Sequence, residues 1–411
     1  MEQNITVKHG LRKNLPLGTM YNSQAASIVF MVGVAFKLSA APGMISDYYG
    51  SSTLWVFLSF SFLELLCAIM IFAFSRMSGD SLLTSLPSPT YNACCALASL
   101  LLIAKCTFYF CYCASYLTHE LFTGAQPVFI YVLLIVPIVY LGAKGTRSIA
   151  RSCELFAPLF FAVIVLNLAF LDTELDVGRN LPVFSVSPAE FFGNLPRFGL
   201  WLGDLLPFVF IRIRNKRFPY ITTSIASTWT LANIIVLLGI AIYGNALKTV
   251  SDLLIHIAGF NQLSLEIGRM EWTNLFVILA MSVFSVSFLY DGANNACMRA
   301  FGTAVPSKIL CPAAILATSI FVTSTQSVTD FALGKFGYAL SAASLAIPVI
   351  MLICAIVRKK KMPSLYTCLD EEYSPRSTAT PSEPDSLGDG ELCVDDENDV
   401  TAQNGVTEGN R

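Results

Sequence analysis

Five ionisable side chains lie within long apolar stretches of the sequence. They are Lys37, Glu64, Lys105, Asp204 and, nearer the end of its stretch, Asp291. A charge inside a bilayer is costly, so such a side chain faces the protein interior and pairs with another charge or with backbone carbonyl groups. We expect Lys37 and Lys105 to pair with Glu64 or Asp204 around a central cavity. A binding role and a purely structural ion pair both fit this pattern.

Two further roles are open to Lys37: a fixed positive charge where sodium-coupled transporters hold an ion, or a carrier of a proton. Enzymatic chemistry is not expected, because the sequence contains no HExxH motif and no clear nucleophile–base pair. We expect no cofactor and no metal, since His9, His119 and His256 are far apart in sequence. Most of the 12 cysteines lie in apolar segments and are interpreted as buried side chains.

The apolar stretches that carry these charges indicate an all-α integral membrane protein. Of the 411 residues, 55% are hydrophobic and 13% are charged, whereas soluble domains contain about 25% charged residues. A spanning helix needs roughly 20 apolar residues. The sequence predicts ten spans, numbered 1 to 10 here: 22–46, 52–75, 93–118, 126–143, 149–171, 197–214, 218–243, 272–297, 308–325 and 331–357.

Loop charges predict the orientation and the domain boundaries. Lysines and arginines concentrate in alternate loops, which places both termini in the cytoplasm. The chain divides into a cytoplasmic N-terminal segment (1–18), a ten-helix transmembrane domain (19–361) and a disordered acidic tail (362–411) rich in Asp, Glu, Ser, Thr and Pro. Residues 244–271 have apolar residues at helical spacing, which predicts two short interfacial helices.

Spans 1 and 6 contain matching interruptions. Breaks are predicted at Gly33 and Pro42 in span 1, and at Gly203 and Pro207 in span 6. Interrupted spans at equivalent positions of two halves point to the binding site of an inverted-repeat transporter. The exposed backbone groups and half-helix dipoles suit a zwitterionic or carboxylate-bearing small molecule, with Lys37 and Asp204 beside it.

Four stretches give the chain a family resemblance. The first contains Gly145, Ile149-Ala150-Arg151, Glu154-Leu155-Phe156, Pro158 and Asn180-Leu181-Pro182-Val183; the second is Leu206-Pro207, followed by the basic run from Arg212 to Arg217. The third is Ile267-Gly268-Arg269-Met270-Glu271, and the fourth is the spacing of Gln24, Pro42 and Trp55. Over about residues 18–357 the chain resembles the endospore germination permeases, which are the B subunits of spore germinant receptors in the amino acid–polyamine–organocation superfamily.

The resemblance implies a LeuT-like 5+5 inverted repeat with broken helices 1 and 6. It also implies a ligand pocket among spans 1, 3, 6 and 8 that binds an amino acid or a similar nutrient. Carried onto this chain, the pocket residues are Ala35 and the break up to Pro42, Lys105, Cys106, Phe198, Gly199 and Ser285. The implied partners are an A subunit and a lipoprotein C subunit in the spore inner membrane, with no nucleic acid.

One departure from the family lies in span 1. The family has Gly-x-Gly-Ile/Leu before its proline, whereas this chain has Ala35-Phe36-Lys37-Leu38. Lys37 therefore adds volume and charge where the family has glycine. Two functions remain open: a nutrient-sensing receptor subunit that triggers germination, and a proton- or cation-coupled amino acid transporter. Both functions fit one fold, so the fold does not separate them.

Overall fold

A computed structural model describes residues 19–77, 88–118, 122, 126–171, 175–180, 184–213, 218–260, 270–301, 305–325 and 333–361. The predicted N-terminal segment (1–18) and the acidic tail (362–411) lie outside the described residues.

Each of the ten predicted spans coincides with helical structure. In chain order the helices are α1 (Asn22–Ser39), α2 (Ala41–Tyr49), α3 (Thr53–Met77), α4 (Ser88–Tyr116), α5 (Pro127–Lys144), α6 (Thr146–Ala169), α7 (Pro188–Asn194), α8 (Phe218–Tyr243), α9 (Leu253–Ala258), α10 (Met270–Phe301), α11 (Val305–Thr325) and α12 (Lys335–Lys361). Short 3-10 helices cover Gly50–Ser52, Val177–Asn180, Leu195–Trp201, Leu206–Phe210 and Gly244–Thr249. Span 1 consists of α1 and α2, and span 6 consists of the 3-10 helices Leu195–Trp201 and Leu206–Phe210.

Six helical stretches of the described chain are long and apolar enough to cross a membrane. They are Ala41–Phe74, Pro89–Tyr116, Thr146–Ala169, Tyr220–Thr249, Glu271–Phe301 and Lys335–Cys354. Val128–Lys144 and Lys308–Ile320 are shorter apolar helices. Large apolar side chains on span 4, such as Phe129 and Leu133, are exposed on the protein surface, as expected for a lipid-facing helix. These features confirm the all-α integral membrane fold.

The two breaks differ in how far the backbone departs from helical geometry. Span 6 leaves the α-helical path altogether: Leu202 is extended (φ −100°, ψ 148°), and Gly203 has φ +83°, a region that glycine enters without strain. Span 1 is interrupted only at Ala40, whose backbone angles (φ −81°, ψ −39°) stay helical. Pro42 lies in the first turn of α2, where its missing N–H is tolerated. Span 1 therefore keeps helical backbone angles through its interruption at Ala40, rather than unwinding as predicted.

Gly33 does not break span 1. It lies inside the continuous helix α1, and a Cβ there would come within 2.6 Å of the Thr228 methyl group of span 7. The predicted break at Gly33 is therefore wrong, because this glycine allows two helices to approach closely instead.

Span 6 is held between its neighbours by small residues. It packs against span 10, where a Cβ on Gly199 would overlap Ser341 and a Cβ on Gly203 would lie 2.9 Å from Ser344. Spans 3 and 8 pack along their lengths, joined by the hydrogen bond from Ser99 Oγ to the Ala293 carbonyl (3.1 Å).

Two short elements join or cover the spans. Thr19–Met20 (β1) pairs in parallel with Arg212–Ile213 (β2), which ties the start of span 1 to the end of span 6. Residues 244–258 form the 3-10 helix Gly244–Thr249 and the helix α9. The described part of the 244–271 segment thus contains the predicted pair of short helices, whereas residues 261–269 lie outside the description.

Candidate functional site

Four of the five predicted intramembrane charges meet in one cluster between spans 1, 2, 3 and 6. Lys37 pairs with Glu64 and lies 3.4 Å (Nζ–Oδ2) from Asp204, while Lys105 pairs with the other oxygen of Asp204. All four side chains are at most 3% exposed. The predicted pairing is confirmed, and we call Lys37, Glu64, Lys105 and Asp204 the charge cluster.

The interruption of span 6 supplies further contacts to the charge cluster. The Leu202 carbonyl is free of helical hydrogen bonding because the chain is extended there, and it accepts hydrogen bonds from Lys105 Nζ (2.5 Å) and Ser344 Oγ (3.1 Å). Tyr109 OH donates to both oxygens of Asp204, at 3.1 and 3.3 Å. Irregular backbone at membrane depth requires such internal partners, because lipid offers none.

Aromatic rings enclose the charge cluster. Phe36 stacks on Tyr109 with ring centroids 3.9 Å apart, and Trp201 lies on the same ring at 6.0 Å. Lys37 Nζ lies 4.8 Å from the centre of the Trp229 ring, which is cation–π geometry. The surrounding rings exclude water, which strengthens every ionic contact within the cluster.

The positive and negative charges of the charge cluster are equal in number. Two lysines face two carboxylates, so the cluster has no net charge when all four are ionised. Removing charges from water costs several kcal/mol per ion, and mutual attraction offsets this only with close pairing and further hydrogen bonds. Asp204 has both, since it contacts two lysines and one tyrosine.

The other predicted site residues lie beyond the side chains that contact the charge cluster. Ala35 is buried in α1, and Phe198 packs on the rings of Tyr48 and Tyr49. Cys106 and Ser285 join neighbouring spans: Cys106 Sγ donates to the Val286 carbonyl (3.7 Å), and Ser285 Oγ donates to the Met31 carbonyl (3.2 Å).

Asp291 and the span 6 proline have separate structural contacts. Asp291 accepts a hydrogen bond from Thr146 at the start of span 5 and does not join the charge cluster. Pro207 packs against Gly292 of span 8, where a Cβ would lie 2.6 Å from its ring. Gly199 and Gly203 act through the close approach to span 10 described above. A ligand-binding role for any of these residues stays a prediction.

The structure adds Tyr109, Trp201 and Ser344 to the site. Tyr109 follows Lys105 by four residues, which places both on one helix face. This spacing could have identified Tyr109 from the sequence. Trp201 is buried, at 1% exposure. Its Nε1–H donor has no hydrogen-bond partner in the described structure. Among the described residues, no group of three or more His, Cys, Asp or Glu side chains could hold a metal ion.

Comparison with solved structures identifies the architecture. MhsT in complex with L-phenylalanine superposes with a TM-score of 0.54 at 15% identity, covering 83% of this chain and 99% of that chain. Mhp1, a nucleobase-cation-symport-1 family transporter in a closed conformation with bromovinylhydantoin bound, gives 0.52 at 13% identity, covering 82% and 77%.

The chain has the LeuT-like transporter fold. No protein-family model and no curated protein matches the sequence. The interruptions at Ala40 and Leu202–Leu205 lie in spans 1 and 6, the two spans that the sequence predicts to be broken.

Proposed function

We propose that the chain is a membrane-embedded subunit that senses an amino acid or a similar small nutrient, as the B subunit of a spore germinant receptor. The observation that carries the proposal is the charge cluster, which lies where span 6 is unwound. It offers both signs of charge to a zwitterion within a few ångströms. In this proposal the chain resides in the spore inner membrane with both termini cytoplasmic, beside the A subunit and the lipoprotein C subunit.

Ligand binding would act by exchanging ion-pair partners. A ligand carboxylate competes with Glu64 for Lys37, and a ligand ammonium group competes with Lys105 for Asp204. Each exchange releases a contact between two different spans, so the ligand favours an arrangement in which those spans are separated. A ligand shifts a conformational equilibrium only through such a difference in contacts between the two states.

Trp201 supports the same location. Its ring lies next to Tyr109, which holds Asp204, and its buried N–H has no acceptor among the described residues. A buried donor without a partner costs about 1–3 kcal/mol, and a ligand oxygen would remove that cost.

A cation-coupled amino acid transporter is the second candidate. The LeuT-like fold favours it, because its solved neighbours include a transporter. Lys37 favours the sensor, because its amino group is covalently bonded to the chain, whereas a coupling ion must be released in each cycle.

The experiment uses the purified chain in lipid nanodiscs and in liposomes. A panel of amino acids is screened for a rise in thermal unfolding temperature, with Lys37→Met as the site variant and Lys144→Met, an exposed lysine, as its control. The proposal expects a ligand that stabilises wild type and Lys144→Met but not Lys37→Met, without accumulation of that ligand in liposomes. An equal response of both variants would exclude the charge cluster as the site, and accumulation driven by an ion gradient would establish the transporter.

A further inference from the structure

A second polar site lies apart from the charge cluster. A cavity of about 20 Å³ is bounded by spans 1, 3 and 8 and by the residue that precedes α9. This volume accommodates one water molecule or one small ion. Its polar lining includes Ser39, Tyr112, Asp252 and Ser282, and most of the remaining lining is apolar.

Ser39 is an unsatisfied polar group in this lining. It is the last residue of α1 and is 1% exposed, and its Oγ has no hydrogen-bond partner in the described structure. A buried hydroxyl without a partner is destabilising. A guest that binds this oxygen would remove that cost.

Asp252 brings a full negative charge to the same cavity. Its side chain is 1% exposed, and its Oδ1 accepts a hydrogen bond from the Ile255 N–H (3.3 Å) as the N-cap of α9. The ion pairs recorded among the described residues do not include it. Burial raises the pKa of Asp252 to about 7, as expected for a carboxylate without a cationic partner.

The neighbouring titratable groups do not neutralise Asp252. Span 3 presents Tyr112, Cys113 and Tyr116 to the cavity, and none of these side chains is a cation at neutral pH. Lys37 of span 1 is already paired with Glu64 and Asp204. On α9 itself, His256 Nδ1 contacts the backbone carbonyl of Asp252 (2.7 Å).

We propose that this cavity binds a monovalent cation of sodium size. Asp252 supplies the charge, and the hydroxyl oxygens of Ser39 and Ser282 supply further ligands, because hard cations prefer oxygen donors. Ser282, which also contacts the Cys113 thiol, retains oxygen lone pairs for this role. The cation joins spans 1 and 8 to α9 and competes with a proton for the Asp252 carboxylate. The inference goes beyond the proposed nutrient site and does not depend on it.

The test measures sodium binding to the purified chain in nanodiscs, by thermal unfolding temperature and by equilibrium binding of radioactive sodium. Ionic strength is held constant with choline chloride, so that screening does not change. At pH 8.5 we expect a sodium-dependent stabilisation of wild type. In Asp252→Asn and in Ser39→Ala the half-saturating sodium concentration should rise at least tenfold. At pH 5.5 the half-saturating sodium concentration of wild type should rise by about tenfold or more, because protons occupy Asp252.

The two variants are chosen so that the protein still folds and sodium binding can be measured. Asn is as good an N-cap as Asp, so Asp252→Asn retains the start of α9. Ser39→Ala removes only a hydroxyl that has no hydrogen-bond partner in the part of the chain that the structure describes. Glu190→Gln, at an exposed carboxylate in α7, is the matched control and should bind sodium as wild type does. Equal stabilisation by sodium and choline, with no bound radioactive sodium, would show that the cavity holds water only and would overturn the proposal. Unchanged sodium affinity in Asp252→Asn would also overturn it.

Discussion

Lys37 connects three spans through its ammonium group, since it pairs with Glu64 of span 2 and approaches Asp204 of span 6. Replacing Lys37 with methionine keeps an unbranched side chain of similar volume but leaves Glu64 buried without its cation. Removal of one partner of a buried pair costs about 3–5 kcal/mol. We expect Lys37→Met to lower the thermal unfolding temperature of the purified chain in nanodiscs.

The control for this prediction is the double variant Lys37→Met with Glu64→Gln. It removes both charges, so no uncompensated ion remains, and most of the lost stability should return. A double variant no more stable than Lys37→Met would show that the effect comes from packing of the lysine stem rather than from the ion pair.

Tyr109 positions Asp204 through its single O–H, which is shared between the two carboxylate oxygens at 3.1 and 3.3 Å. Tyr109→Phe keeps the stack on Phe36 but removes the hydroxyl. Hydrogen bonds to charged groups contribute about 1.5–3 kcal/mol, so we expect a loss of stability of that order in denaturant unfolding. Tyr140→Phe removes an exposed hydroxyl from span 4 and should change stability little. Equal effects of the two variants would contradict the role assigned to Tyr109.

At the scale of the element, Gly203 sets the path of span 6. Its φ of +83° costs another residue about 1–2 kcal/mol, and a Cβ would lie 2.9 Å from Ser344. We therefore expect Gly203→Ala to destabilise the purified chain and to weaken binding of any ligand at the charge cluster, because the Leu202 carbonyl would move.

Gly193 provides the matched control, since a Cβ there meets no atom of the described residues within 4 Å. It lies in α7, where Ala is favoured over Gly by about 1 kcal/mol. Gly193→Ala should leave stability unchanged or raise it. If both variants are as stable as wild type, the backbone of span 6 is not fixed by Gly203.

The helix α9 makes stability depend on pH through Asp252. Burial raises the pKa of Asp252 to about 7 in the folded state, whereas an unfolded aspartate titrates near 3.9. Between these values the folded state binds the extra proton, so stability falls as pH rises from about 4 to about 7 and is then constant. In choline buffers, wild type should gain stability relative to Asp252→Asn as pH falls from 7.5 to 5. A difference that does not change with pH would contradict this assignment.

The sequence predicts elements better than their irregularities. Apolar length locates the long spans, and the cost of buried charge predicts that Lys37, Lys105, Glu64 and Asp204 pair, because few other partners exist at that depth. The choice of partners depends on helix rotation and depth, which apolar composition does not specify. Gly and Pro mark span 6 as interrupted, but they do not predict its 3-10 form or its close approach to Ser341 and Ser344 of span 10.

Features made by long-range contacts give no periodic signal. The pairing of β1 with β2 involves two residues on each strand, which is too short for an alternating pattern. The burial of Asp252 depends on spans 1, 3 and 8 closing over a loop residue. At Gly33 the sequence predicts a break that the structure does not have. Glycine interrupts span 6, whereas in span 1 the same residue type lets two helices pack closely.

At the scale of the whole molecule, the charge cluster joins span 6 to the body formed by spans 3 and 8. Lys105 of span 3 reaches both Asp204 and the Leu202 carbonyl, which lie between the two 3-10 helices of span 6. Lys105→Met should therefore loosen span 6 selectively. Hydrogen–deuterium exchange should accelerate in peptides covering residues 195–210 and stay unchanged in span 4, because span 4 does not contact the cluster. Lys144→Met, at an exposed lysine, should leave both regions unchanged. A uniform increase across all spans would indicate general destabilisation, and it would contradict the view that Lys105 fastens one interrupted span to a stable helical body.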